Sequence, residues 1–119
     1  MITSEEVLDE IIKRYKKPKH KKSIVLYDCK SEAENPLCGD NITMYLCYKD
    51  GVVYHASFDG VGCAISQGCA DLLCERLIGL TEKEVKNLQF DLFDLEKSPI
   101  SKSRYKCATL SLNALKGIK

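Results

Sequence analysis

The chain has 119 residues, 45% of them hydrophobic and 29% charged, and its 18 lysines and arginines against 17 acids leave a net charge of +1. That length suits one domain over residues 1–119 with a buried core, and the balanced charge provides no global attraction to nucleic acid, membrane or acidic substrates. No apolar run approaches the roughly 20 residues that cross a bilayer, and the polar start MITSEEVLDEII has no signal core, so a cytoplasmic protein is expected.

Thr3 and Glu6 make a capping-box pattern, and Val7, Leu8, Ile11, Ile12 and Tyr15 follow at helical spacing. They predict a first helix over about residues 4–16 that ends before Pro18. The next stretch, Lys16 to Lys22, is densely positive and reads equally as a solvated linker or as a docking patch for an acidic partner. Ser23 to Cys29 reads as a strand, followed by a polar loop from Ser31 to Asp40 that contains Pro36 and Gly39. Ile42, Met44, Leu46 and Tyr48 then alternate with Thr43, Tyr45 and Cys47. Asp50-Gly51 supplies a hairpin turn, and Val52, Tyr54, Ala56 and Phe58 alternate in the return strand, with His55 on the opposite, surface face.

After Gly60-Val61-Gly62-Cys63 the period changes. Ile65, Cys69, Leu72, Leu73 and Leu77 recur at helical spacing up to Gly79, and Thr81 with Glu84 caps a short helix to about Gln89. A last helix is expected over about Ser101 to Leu115. Strands first and helices afterwards indicate an α+β domain with an antiparallel sheet.

Seven cysteines is a high count. The number is odd, no export signal is present and the core needs no staples, so clustered thiols point to metal or sulfur chemistry rather than disulfides. Cys38 lies in a loop beside Gly39, with Asp40 two residues on. Cys63 stands just before a helix, whose N-terminal partial charge favours an anionic ligand, and Gly60 and Gly62 would let backbone amides approach it. Cys107 falls in the last predicted helix, with Arg104 one turn earlier. Three thiolates and one carboxylate suffice for tetrahedral zinc or for a [2Fe–2S] unit, and Arg104 with the helix N-terminus would offset the negative charge of either. The oxygen ligand is harder and more weakly held by sulfide-bridged iron than thiolate, which makes one corner labile. On spacing alone, buried free cysteine is the competing account of each thiol. Cys69 shares a helical stripe with Leu72 and reads as core, while Cys29, Cys47 and Cys74 read as packing or incidentally exposed residues. The aromatic residues do not interleave with basic ones, so no nucleic-acid role is expected.

Three blocks carry a resemblance. Asn35-Pro36-Leu37-Cys38-Gly39-Asp40, Phe58-Asp59-Gly60-Val61-Gly62-Cys63-Ala64-Ile65-Ser66 and Arg104-Tyr105-Lys106-Cys107-Ala108-Thr109-Leu110 resemble the signature blocks of the U-type iron–sulfur assembly scaffolds. That family comprises IscU, SufU and the N-terminal domain of NifU, and the likeness covers nearly the whole chain. It implies a SufE/IscU-like fold, three antiparallel strands with helices on one face. It implies a scaffold that takes sulfur from a cysteine desulfurase, assembles a labile [2Fe–2S] cluster with iron, and passes it to acceptor apoproteins or carriers. Carried over, Cys38, Cys63 and Cys107 are sulfur ligands, and Asp40 is the fourth ligand or the residue that promotes release. Zn2+ often occupies the same ligands, and a site at one end of the domain is compatible with a cluster-bridged homodimer.

Departures from the family leave the subtype between IscU and SufU. Lys106 replaces the histidine that precedes the last cysteine of IscU-type proteins, and Ser98-Pro99-Ile100-Ser101-Lys102 is not their Leu-Pro-Pro-Val-Lys chaperone motif. Residues Arg104 to Leu110 instead resemble SufU, a zinc-dependent sulfurtransferase in which Cys38 would accept persulfide, yet the SufU insertion between the second and third blocks is missing. A purely structural zinc module is a third reading.

Overall fold

Residues 40–61 carry the clearest alternation in the chain, and in a computed structural model they form its central hairpin. The structure describes residues 4–35, 39–87 and 110–116. In chain order the elements are α1 (Ser4–Lys16), β1 (Cys29–Asn35), β2 (Asp40–Lys49), β3 (Val52–Val61), α2 (Ala64–Leu77), α3 (Glu82–Lys86) and α4 (Leu110–Lys116). The sheet is antiparallel throughout, in the order β1-β2-β3. Asp50 and Gly51 both take positive φ, 53° and 83°, as a primed two-residue turn requires.

Ile42, Met44 and Leu46 of β2 point to one face, where they join Ala56 and Phe58 of β3, Leu73 and Leu77 of α2, Ile11 of α1 and Leu110 of α4 in the core. The α+β class with helices on one face of a three-stranded sheet is therefore as expected. The predicted first helix matches α1, the helix after Cys63 matches α2, and the Thr81–Glu84 capping box is fully formed at α3. Thr3, Gln89 and most of the predicted last helix lie outside the described residues. No described helix is long and apolar enough to cross a membrane.

Three expectations are corrected. Ser23 to Asp28 is not a strand; the first strand is Cys29–Asn35, whose residues from Ser31 on fall in the segment expected to be a loop. Ile24-Val25-Leu26-Tyr27 has the higher β-propensity, but pairing is decided by register: Cys29 to Asn35 face Leu46 to Asp40 one for one. The polar sequence suits an edge strand, with Cys29, Ser31, Ala33 and Asn35 turned inward and Lys30, Glu32 and Glu34 left to solvent. Residues 22–28 instead run as a strap over the other face of the sheet. At one end the backbone of His20 and Lys22 bonds that of Phe58, and at the other the Asp28 N–H bonds the Leu46 carbonyl. Tyr45, Cys47 and Ser57, which point away from the helices, are buried beneath it.

In β3 the alternation breaks. Cys47 pairs with His55 but Tyr48 pairs with Val53, which leaves Tyr54 as a bulge. The extra residue reverses the phase, so Val53 is buried, Tyr54 is exposed and His55 is half-buried rather than a surface residue. On α1, finally, Ile12 and Tyr15 face solvent, and Ile11 alone is fully buried among the apolar residues described.

Helices α1 and α2 cross at a glycine. A Cβ on Gly68 would lie 2.0 Å from the Ile11 carbonyl oxygen and 2.6 Å from Ile11 Cγ2, so only hydrogen allows this approach. Gly68→Ala is expected to lower the unfolding free energy by about 2–3 kcal/mol through forced separation of the helices, read as a lower urea midpoint at constant slope.

Candidate metal centre

Asp40 and Cys63, 23 residues apart in sequence, come to the same end of the sheet, Asp40 lying against Gly62, the residue before Cys63. Asp40 opens β2 opposite Asn35, and the Gly39 N–H bonds the Asn35 carbonyl at 2.9 Å across the β1–β2 connection. β3 ends at Val61, paired with Asn41, and the chain passes through Gly62 into Cys63, the N-cap of α2. A Cβ on Gly62 would lie 2.7 Å from Asp40 Cγ, 3.0 Å from Asp40 Oδ1 and 2.5 Å from Ser66 Oγ. The carboxylate, the backbone leading to Cys63 and the first turn of α2 are thus in contact around one glycine.

The electrostatics of this corner are unfinished. Asp40 is only 4% exposed, and its Oδ2 is buried with no hydrogen-bond partner. A buried acceptor left unpaired costs free energy, so an atom in this state is suited to a cation or a donor that completes it. Cys63 is half-buried; its thiol faces Ser66 Oγ at 3.9 Å, and the Ser66 hydroxyl donates to the Cys63 carbonyl at 3.0 Å. Gln67, one turn from Cys63, is also 4% exposed and has neither amide atom partnered. The sequence reading missed Ser66 and Gln67 as supports. Their signal is local: positions three and four beyond an N-cap lie on the cap's face of the helix.

Cys38, Cys107 and Arg104 lie outside the described residues. Among the described ones no three His, Cys, Asp or Glu side chains form a metal-holding group. The donor set that is described, one buried carboxylate oxygen and one thiol at a helix N-terminus, fits zinc or iron chemistry.

Other cysteines are poor competitors. None of the five described cysteines is in a disulfide. Burial pushes the Cys74 thiol well up, and burial followed by the nearby Asp28 raises Cys29 and Cys47, so these three stay protonated. Cys69 is fully buried in the core, as its helical stripe predicts.

The profile of the NifU-like N terminal domain family matches residues 6–118. The chain is 51% identical to the iron–sulfur cluster assembly scaffold protein IscU of Thermotoga maritima over 57 residues, 48% of this chain and 40% of that protein's length. It is 31% identical to the zinc-dependent sulfurtransferase SufU of Bacillus subtilis over 131 aligned positions, 91% of this chain and 86% of the other. An alignment longer than this 119-residue chain shows that the relative carries residues missing here. Among solved structures, FiSufU of Fervidobacterium islandicum AW-1 superposes with a TM-score of 0.71 at 27% identity, covering 92% of this chain and 94% of that one. The N-terminal NifU-like protein of Brucella abortus shares the fold, with a TM-score of 0.70 at 19% identity over 92% of each chain. Family profile, relatives and fold agree, and the chain belongs to the family of NifU-like N-terminal domains.

Proposed function

We propose that this chain is an iron–sulfur cluster assembly scaffold, with Cys38, Asp40, Cys63 and Cys107 as the ligands of its cargo. The observation that carries the reading is the unpartnered, buried Asp40 Oδ2 held beside Gly62 and the N-cap Cys63. Family membership and a relative named as an IscU scaffold support it. In this reading sulfur comes from a cysteine desulfurase, and the cluster passes to acceptor apoproteins or carriers in the cytoplasm. Asp40 supplies the hard ligand that makes one corner of the site labile. Gly62 and Ser66 hold that carboxylate and Cys63 in register.

Anaerobic incubation with iron, sulfide and a desulfurase tests the proposal. A visible, labile cluster chromophore is expected, and tight zinc binding with no cluster under those conditions counts against a scaffold. Asp40→Ala sharpens the result: without the carboxylate the cluster should persist about tenfold longer against chelators. A structural zinc module would instead lose metal affinity and folding stability in the same variant.

The long match to a zinc-dependent sulfurtransferase favours one second reading. Bound zinc would keep thiolates deprotonated yet exchangeable. Cys38 would then accept persulfide from the desulfurase. Strong stimulation of desulfurase turnover by the zinc-loaded protein, lost in Cys38→Ala, would select it.

A further inference from the structure

The strap over residues 22–28 presents two aliphatic side chains to water. Val25 is 91% and Leu26 88% exposed, whereas no other large apolar residue described exceeds 60%. Adjacent, almost bare aliphatics leave apolar area in water that a contact would bury, whereas exposed aliphatics scattered singly are common. This pair is fixed. On its N-terminal side, Lys22 N–H bonds the Phe58 carbonyl at 2.8 Å and Ser23 Oγ donates to Asp59 Oδ2 at 2.6 Å. On its C-terminal side, Asp28 N–H bonds the Leu46 carbonyl at 3.0 Å and the Asp28 carboxylate accepts the Tyr48 N–H at 2.6 Å. Between them the Leu26 carbonyl faces the Cys47 thiol at 3.6 Å, and the Tyr27 ring packs on Tyr45 at 5.5 Å. The backbone of the strap is thus tied to the sheet while Val25 and Leu26 project from it.

The charge leading into the strap is positive, and the two acids beside it, Asp28 and Asp59, already accept hydrogen bonds from the Tyr48 N–H and the Ser23 hydroxyl. Residues 16–27 hold five lysines, Lys16, Lys17, Lys19, Lys21 and Lys22, and no acid. All five are exposed, and no ion pair to any of them is formed among the described residues. A second copy of the chain would bring like charges together and is disfavoured as occupant. Two aliphatic side chains are also too small an apolar surface for lasting membrane attachment, which needs a larger buried area or an added anchor. They suit the small apolar centre of a protein contact whose rim is charged.

We infer that this strap is a docking surface for an acidic segment of a partner protein, with Val25 and Leu26 entering an apolar seat and the lysines reading the acids around it. The surface is built from the opposite face of the sheet to the helices. It therefore stands whether or not the Asp40–Cys63 corner carries a cluster.

The test uses the full-length chain and a fluorescein-labelled synthetic peptide of about twelve residues in which Leu alternates with Glu and Asp, a composition that matches both features of the strap. Saturable binding is expected, with backbone amide shifts concentrated in residues 19–28 and weakening as salt rises. The Val25→Ser, Leu26→Ser double variant should bind at least about tenfold more weakly. Its melting temperature should not move, because neither side chain is packed. Ile78→Ser, another exposed aliphatic on a different element, should bind as the parent does. The inference is overturned if the double variant binds equally well, or if a peptide with Leu replaced by Gly binds as tightly. It is also overturned if the double variant abolishes self-association of the chain, or binding to phosphatidylserine vesicles, while the peptide fails to bind.

Discussion

Replacing Arg14 with methionine is expected to lower the unfolding free energy by about 3–5 kcal/mol, more than the Gly68→Ala change at the helix crossing. Asp71 is completely buried in α2, and Arg14 Nη1 donates to its Oδ2 at 2.8 Å from a side chain that is itself nearly buried. The same guanidinium binds Glu10 through Nε at 2.7 Å and Glu75 through Nη2. These bonds raise the Arg14 pKa against a desolvation that would lower it, and Arg14 in turn holds the Glu75 carboxyl below its ordinary value. The other oxygen of Asp71 accepts the backbone N–H groups of Lys19 and His20, at 2.8 and 2.7 Å. One carboxylate therefore ties the end of α1 and the start of the basic segment to α2. Methionine keeps the aliphatic packing but strands a buried charge, and that desolvated charge is the source of the cost. Guanidinium or urea unfolding measures it. Adding Asp71→Asn should return part of the loss, since two neutral groups replace one orphaned ion; a double variant as weak as the sum of the singles would show that the pair does not act as a unit.

The second large effect is at the site. Gly62→Ala is expected to weaken binding of zinc, or of cobalt as its optical stand-in, by about a hundredfold, because the added methyl must displace Asp40 or the first turn of α2. The distances leave no room: 2.5 Å to Ser66 Oγ and 2.7 Å to Asp40 Cγ. Competitive chelator titration reads the affinity, and the cobalt–thiolate absorption reports separately whether Cys63 still ligates. Far-UV circular dichroism checks that the fold is kept. Ser66→Ala in the same chain removes one of the two clashes and should recover part of the affinity. Unchanged metal binding in Gly62→Ala would mean that the gap between Asp40 and Cys63 is not used.

Both effects concern contacts that local sequence could not announce. Arg14 and Asp71 are 57 positions apart. In the one-dimensional pattern Arg14 is a basic residue in the last turn of a helix, where positive charge is ordinary, and Asp71 is a polar interruption of an apolar stripe. Only the crossing of α1 over α2 at Gly68 brings them together. Gly62 differs: it lies inside a block recognisable by resemblance, though its steric role depends on how β2 places Asp40.

What the amino-acid order determined alone is whatever neighbouring residues decide among themselves. The β2–β3 hairpin follows from alternation closed by Asp50-Gly51, α1 and α2 from helical spacing, α3 from Thr81 reaching Glu84, and the burial of Cys69 from its stripe. The tertiary structure decided which segment became the first strand, where the phase of β3 reverses at Tyr54, and that Asp40 and Cys63 share a corner. It also sent the apolar Ile24–Tyr27 stretch across the sheet and left Val25 and Leu26 bare. The physical reason is common to all four: a periodic pattern specifies a face but not its partner, and pairing register, bulges and close approach are set by residues distant in the chain.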